Sequence, residues 1–262
     1  MTDHVFVTLE NGVQTLTLNR PEKKNALTPE MYGALADGIE RAERDPKILV
    51  TLITAAGDAF TAGNDLGDFA KAGATPADDK PATKPHVTRF LENIAEAEKP
   101  IVAAVNGLAV GVGVTMLLHC DLVYAGASAT FQMPFVNLGL VPEAGSTFLL
   151  QRLIGIQKAA DLFLTGKKIG AEKAEALGLV AEVFPDNALP GEALARAQAL
   201  AAKAPNAVRI TKALLKGKDR ARVAEAREAE AKHFGAQLRS AEVKEAISAF
   251  FEKRAPDFSK LS

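Results

Sequence analysis

An α/β fold is predicted, with an N-terminal core of strands and helices followed by a helical C-terminal third. Three observations carry this. Residues 5–10 and 13–18 alternate apolar with polar positions on either side of Asn11-Gly12. The apolar runs 48–54, 101–105 and 122–125 recur, each leading into a loop and then a helical pattern. After Gly155 the composition shifts to helix-forming residues.

Taken in order, the first two runs read as a hairpin, because Asn-Gly adopts the left-handed conformation that a two-residue turn requires. Thr28-Pro29 starts a helix: Thr28 can cap it, proline suits the first helical position, and Met31, Leu35, Ile39 and Ala42 recur on one face. Residues 48–54 are apolar almost without alternation, as a strand covered on both faces should be. The segment 71–85, rich in Ala, Pro, Lys and Asp, is expected to be a surface loop. Helices are expected over 157–164, 171–176, 193–202, 207–215, 222–237 and 241–253, with charges of alternating sign that suit solvated or subunit-facing surfaces.

The chain has 262 residues, of which 48% are hydrophobic and 24% charged, enough apolar material for a large core and incompatible with disorder. Its 31 Lys and Arg balance 32 Asp and Glu to a net charge of −1. That balance provides no global attraction to nucleic acid or to an acidic membrane, so neither partner is expected. The single cysteine, Cys120, excludes an intramolecular disulfide framework and fits a reducing compartment, for which the cytoplasm is the default. No basic segment followed by an apolar stretch opens the sequence, so a secretory signal is not expected. Residues 101–118 carry no charge, yet Asn106, Gly107, Gly111 and Gly113 interrupt them, and they read as a strand, a glycine loop and a buried helix rather than a membrane span.

The four histidines show no metal-ligand spacing, so no metal site is expected. His119 and Cys120 are adjacent, but neighbours in sequence rarely meet in catalytic geometry. Neither a phosphate-loop motif nor a Gly-x-Gly-x-x-Gly dinucleotide fingerprint is present. Two glycine-bearing turns do follow apolar strands, Ala62-Gly63-Asn64-Asp65-Leu66 and Ala109-Val110-Gly111-Val112-Gly113. Each can leave backbone N–H groups unpaired and aimed at an anion or polarised oxygen, or can be simply a tight turn.

These stretches, together with Asn19-Arg20-Pro21, Asn25-Ala26-Leu27, Phe60-Thr61, Lys99-Pro100 through Asn106-Gly107, Cys120 through Ala125, Phe135 through Gly145 and Glu252-Lys253-Arg254, lie in an order that resembles the crotonase (enoyl-CoA hydratase/isomerase) superfamily. The resemblance implies a crotonase-like spiral of ββα units over 1–198 and a helical C-terminal trimerisation region over 199–262. It implies an acyl-CoA thioester substrate, of which coenzyme A is a part, with no separate cofactor, and a homotrimer or hexamer. Backbone N–H groups of Asn64 and Val112 would grip the thioester carbonyl, where fixed donors stabilise the developing enolate oxygen by about 3–4 kcal/mol each. CoA contacts would involve Lys24, Ala26, Ala62, Asp65 and Leu66, with Phe234 and Lys253 reaching a neighbouring subunit's ligand. Apolar Phe234, Leu238, Val243, Ile247, Phe250 and Phe251 are expected to exceed what one chain can cover.

The departures from the family pattern are as informative. Hydratases of this family carry two glutamates, and the corresponding positions here are Thr115 and Phe135, neither a carboxylate. Glu143 stands where the Δ3,Δ2-enoyl-CoA isomerase branch keeps its single glutamate, although an acid there can also serve merely as a helix N-terminal charge. An isomerase moving a 3,4 double bond to the 2,3 position is the leading expectation. The alternatives are a hydratase using Glu143 alone, a ring-opening CoA isomerase of aromatic catabolism, and a non-catalytic binding protein on the same scaffold.

Overall fold

The computed structural model describes residues 3–65, 67–68 and 83–261, so that Leu66 and residues 71–82 of the expected loop lie outside the described residues. Strands β1 (Val5–Glu10) and β2 (Val13–Leu18) pair antiparallel with Glu10 opposite Val13. Asn11 and Gly12 have φ of 47° and 79°, the left-handed pair that the hairpin requires. Strands β3 (Val50–Ala55), β5 (Ile101–Val105), β7 (Leu122–Gly126) and β10 (Glu182–Phe184) then extend the sheet in parallel, in the order β1-β2-β3-β5-β7-β10. One face packs on α1 (Pro29–Arg44) and α2 (His86–Glu96), the other on α7 (Leu189–Ala201). Coverage on both sides is why residues 48–54 and 101–105 need no polar alternation.

Each of β3, β5 and β7 turns a corner within a few residues into a three-residue strand. These are β4 (Ala59–Thr61), β6 (Leu108–Val110) and β8 (Thr130–Gln132), which with β9 (Lys168–Gly170) form a second sheet in the order β4-β6-β8-β9. Such short strands carry no periodicity of their own, which is why pattern reading does not find them. The corners stack closely: Gly107 has φ of +154°, and a Cβ there would lie 2.2 Å from the Asp58 carbonyl oxygen. Asn25, fully buried, ties the segment after β2 to the first corner, donating to the carbonyls of Ala56 (2.8 Å) and Ala59 (2.7 Å).

Thr28 caps α1 by accepting from the Met31 N–H, and Met31, Leu35, Ile39 and Ala42 face the core as their spacing predicts. Helix α3 (Val112–Thr115) and the 3₁₀ turn Met116–His119 lie buried between the sheets and the later helices. Helices α4 (Ser146–Ile154), α5 (Ile156–Thr165) and α6 (Ala171–Ala176) complete the spiral. The expected boundary at 198/199 falls within α7, which runs on to Ala201. Helices α8 (Pro205–Lys216), α9 (Arg220–Gln237) and α10 (Ala241–Phe251) follow. Of the six apolar residues expected to exceed what one chain can cover, four are taken up within it. Val243 is buried and Phe234, Leu238 and Ile247 pack on the core, which leaves Phe250 and Phe251 exposed. No helix among the described residues is long and apolar enough to cross a membrane.

Because the Gly107 corner leaves no room for a side chain against backbone, Gly107→Ala is expected to destabilise the fold by about 2–4 kcal/mol, read from the midpoint of urea unfolding.

Candidate active site

A cavity of about 850 Å³ opens between α1, α2 and α9. Its walls are largely apolar, with Leu27, Val87, Leu91, Phe234 and Leu238 among them, and its polar groups include Tyr32, Asn64 and Glu143. Exposed Glu96 and Glu228 mark its rim, whereas Leu27, Tyr32 and Ala144 are buried at its inner end.

The two glycine-bearing turns are both held open. Leu27 bridges Asn64 in parallel fashion: its N–H donates to the Gly63 carbonyl (2.8 Å) and its carbonyl accepts from Asp65 N–H (3.0 Å). This uses the groups flanking Asn64 and directs the Asn64 N–H to the opposite side. Gly63, at φ +89°, lies so close to β6 that a Cβ would come within 2.9 Å of the Val110 carbonyl oxygen. Gly111, at φ 56°, opens α3, and its carbonyl accepts from Val114 and Thr115 N–H at 2.9 and 3.0 Å. The Val112 N–H belongs to the first helical turn, where no intrahelical acceptor exists. Among the described residues, the Asn64 and Val112 N–H groups have no hydrogen-bond partner. The Val112 side chain is buried in the core, so only its amide is available.

Glu143 sits on a turn of unusual backbone, followed by Ala144 and Gly145 at φ of 67° and 73°. The Thr115 hydroxyl, one turn along α3, donates to Glu143 Oε1. His119 bonds the Ala144 carbonyl through Nε2 at 2.7 Å. Burial drives the imidazole down to about 4, so it is neutral, and because a carbonyl only accepts, Nε2 carries the hydrogen. On the other side, the buried Glu230 carboxylate of α9 accepts from Gly145 N–H (2.5 Å), Thr147 N–H (2.9 Å) and the Thr147 hydroxyl (2.6 Å). Glu230 therefore supplies the acceptor at the start of α4, so Glu143 is not needed as a helix-terminal charge. Burial pushes the Glu143 carboxyl up to about 7; the Thr115 hydrogen bond opposes this rise and the Glu230 charge adds to it. Tyr32 donates to Asn64 Oδ1 at 2.5 Å, and burial first, then the charge of Glu143, holds its phenol protonated well above the usual range.

Of the residues expected to form a site, Glu143, Asn64, Asp65 and Phe234 line this cavity. Phe234 lines the chain's own cavity. Lys24, Ala26 and Ala62 lie on the adjoining segments: the Lys24 carbonyl accepts from Ala62 N–H (2.9 Å), and the Ala26 carbonyl from Arg20 (3.0 Å), which also pairs with Asp65 at 2.9 Å. Lys24 and Lys253 are exposed, both at positive φ, and neither is a cavity wall; Leu66 lies outside the described residues. His119 and Cys120 form no catalytic pair, since the buried thiol is pushed up to about 12 and contacts the Met116 carbonyl. Sequence reasoning missed the parts of Tyr32, His119 and Glu230. A tyrosine on the core face of α1 is a signal, because a buried phenol needs a partner. Glu230, in a helix of alternating charge, offers none. Among the described residues no group of three or more His, Cys, Asp or Glu is placed to hold a metal ion.

Fold and cavity together describe a spiral of ββα units that brings two unpaired backbone donors and one half-buried carboxyl to a large apolar pocket. The family model for enoyl-CoA hydratase/isomerase matches residues 8–260, and the chain belongs to this family, the crotonase superfamily. It is 49% identical to an enoyl-CoA hydratase/isomerase from Pseudoalteromonas atlantica T6c, whose crystal structure aligns with a TM-score of 0.92 over 98% of this chain and 100% of that one. It is 38% identical to rat enoyl-CoA delta isomerase 2 over 95% of this chain, which spans 64% of the rat protein's length. It is 36% identical to Escherichia coli 1,2-epoxyphenylacetyl-CoA isomerase over 99% of each chain.

A carboxyl held near 7 is protonated in mild acid and ionises as the pH rises through neutrality. Carbon-13 NMR titration of labelled glutamate should place the Glu143 midpoint there. Thr115→Val removes a hydrogen bond to the ionised form and should move that midpoint to higher pH.

Proposed function

We propose that the chain is an enoyl-CoA isomerase that moves a 3,4 double bond to the 2,3 position through an enolate. The observation that carries this reading is the pairing of Glu143 with Thr115. At the position where a hydratase keeps a second carboxylate there is a hydroxyl, and it is engaged in holding Glu143. Syn addition of water is served by two groups that share water activation and proton delivery, whereas a 1,3-proton shift needs one base.

In this reading the thioester carbonyl sits on the Asn64 and Val112 N–H groups, which are strongest toward the enolate oxygen because that is where charge develops. Glu143, ionised, takes a proton from C2. Thr115 occupies Oε1, so Oε2 is the oxygen that carries the proton to C4. A pKa near 7 suits both halves of the transfer, since the group must accept and then release a proton at neutral pH. The apolar walls keep water from the enolate. Lys24, Ala26, Ala62, Asp65 and Leu66 are proposed to border the CoA moiety, with Arg20 bracing Asp65 and the Ala26 carbonyl. Lys253 is proposed as a basic contact for a CoA phosphate of a neighbouring subunit. Coenzyme A belongs to the substrate and no separate cofactor is proposed.

A trimer or hexamer is part of this proposal. Ile210, Leu214 and Leu215 of α8, Ile156 and Leu164 of α5, and Phe250 and Phe251 of α10 are each more than half exposed, between 57% and 72%, and a closed cyclic assembly would cover them. Sedimentation at micromolar concentration should give three or six chains, and a monomer would remove Lys253 from the site.

The reaction itself is tested with 3-hexenoyl-CoA and crotonyl-CoA side by side. The first should isomerise much faster than the second is hydrated, with a rate that rises with pH through about 7 as Glu143 ionises. Glu143→Gln should lose about 10²–10⁴-fold in turnover while binding acyl-CoA as before. Faster hydration of crotonyl-CoA would overturn the isomerase reading.

A further inference from the structure

Glu143 is one residue of a turn gripped from three sides, and one of those grips comes from a helix far away in sequence. The Glu230 carboxylate is 6% exposed and accepts three hydrogen bonds, from Gly145 N–H, Thr147 N–H and the Thr147 hydroxyl. Helix α9 also presses on the turn directly: a Cβ on Gly145 would lie 3.1 Å from Val223 Cγ1 and 3.2 Å from the Val223 carbonyl oxygen. At the other end of the segment, Gly139 would meet Glu242 Cβ of α10 at 2.8 Å, and its carbonyl accepts from Gln237 of α9 at 3.1 Å. His119 holds the Ala144 carbonyl between these points. The three donors to this buried carboxylate lie at Gly145 and Thr147, and all fall within four residues of Glu143.

We propose that Glu230 is the positioning residue of Glu143: by clamping Gly145 and Thr147 it makes the placement of the base depend on α9 being docked. The inference rests on Glu143 being the base of the proposed isomerase and deepens that reading. Its electrostatic consequence has a sign. The charge of Glu230 disfavours ionisation of Glu143, so the clamp also holds the base closer to neutrality. The other charged or titratable groups around this turn and cavity are Tyr32 on α1, His86, Glu92 and Glu96 on α2, His119, Asp65 and Asp68, Arg227 and Glu228 on α9, and Glu242 on α10. Burial leaves His119 neutral near physiological pH, and Arg227 lies 3.8 Å from Glu92.

The test uses the full-length protein, 3-hexenoyl-CoA for turnover and butyryl-CoA as an inert ligand. Glu230→Gln keeps the shape, cannot accept all three hydrogen bonds and removes the charge. It should lower kcat at least tenfold, leave KM and butyryl-CoA affinity within about threefold, and move the acid limb of the kcat profile to lower pH. Thr147→Val deletes one bond of the three, and should lower kcat about threefold with KM unchanged. A merely structural role would lower the melting temperature and the active fraction without moving the pH profile, and that result overturns the proposal. So would wild-type kcat and pH dependence in Glu230→Gln when Glu143→Gln is inactive. Full activity of Glu143→Gln, by contrast, would sink the base assignment itself.

Discussion

A side chain at position 107 would have to occupy the space taken by the carbonyl oxygen of Asp58, and this contact between one corner of the spiral and the next constrains what lies beyond it. Close stacking of the corners brings β4, β6 and β8 into one sheet although each is only three residues long. Strands so short gain little from their own hydrogen bonds, so their alignment depends on the backbone approach that glycine allows. The same approach continues where the strands end. Gly63 lies against the Val110 carbonyl, and a Cβ on Gly113 would come within 2.5 Å of Thr61 Cγ2. The turns carrying the unpaired Asn64 and Val112 amides are therefore pressed together by the spacing of the corners.

Donors set in this way do not need to reorganise when charge develops before them, which is the source of their value in a low-dielectric cavity. That environment also acts on Glu143. Burial raises its pKa, and the Thr115 hydroxyl supplies an opposing stabilisation of the ionised form. The result is a group poised near neutrality by two effects of opposite sign. Tyr32 and His119 show the same environment acting on groups that stay neutral: a phenol bound to Asn64 and an imidazole bound to a backbone carbonyl.

The C-terminal helices are as much a part of this site as the spiral is. Helix α8 is pinned by Lys212 and Lys216, which both reach Asp121 at 2.8 and 2.9 Å, while Asp121 also accepts from the N–H of Ile101 at the head of β5. Lys212 is buried, so removing Asp121 would leave its charge without this partner. With α8 placed, α9 lies across the open side of the cavity, bringing Phe234 and Leu238 to its wall and Glu230 to the turn that follows Glu143.

Local patterning by itself determined the hairpin about Asn11-Gly12, the capped helix from Thr28, the doubly covered strands and the order of the C-terminal helices, because turn chemistry and hydrophobic period act over neighbouring residues. It also singled out Asn64, Val112 and Glu143, the first two by their glycine-bearing turns and all three by resemblance to a family pattern. Tertiary structure alone decided the second sheet, whose strands are too short to show a period, and the extent of α7 to Ala201. It also decided that Phe234 faces this chain's own cavity. Above all it brought Thr115, His119 and Glu230 to the Glu143 turn from positions 28, 24 and 87 residues away along the chain. Hydrogen bonds over such separations leave no trace in local composition, since a threonine in a helix or a glutamate among alternating charges looks the same whether it faces solvent or a buried partner.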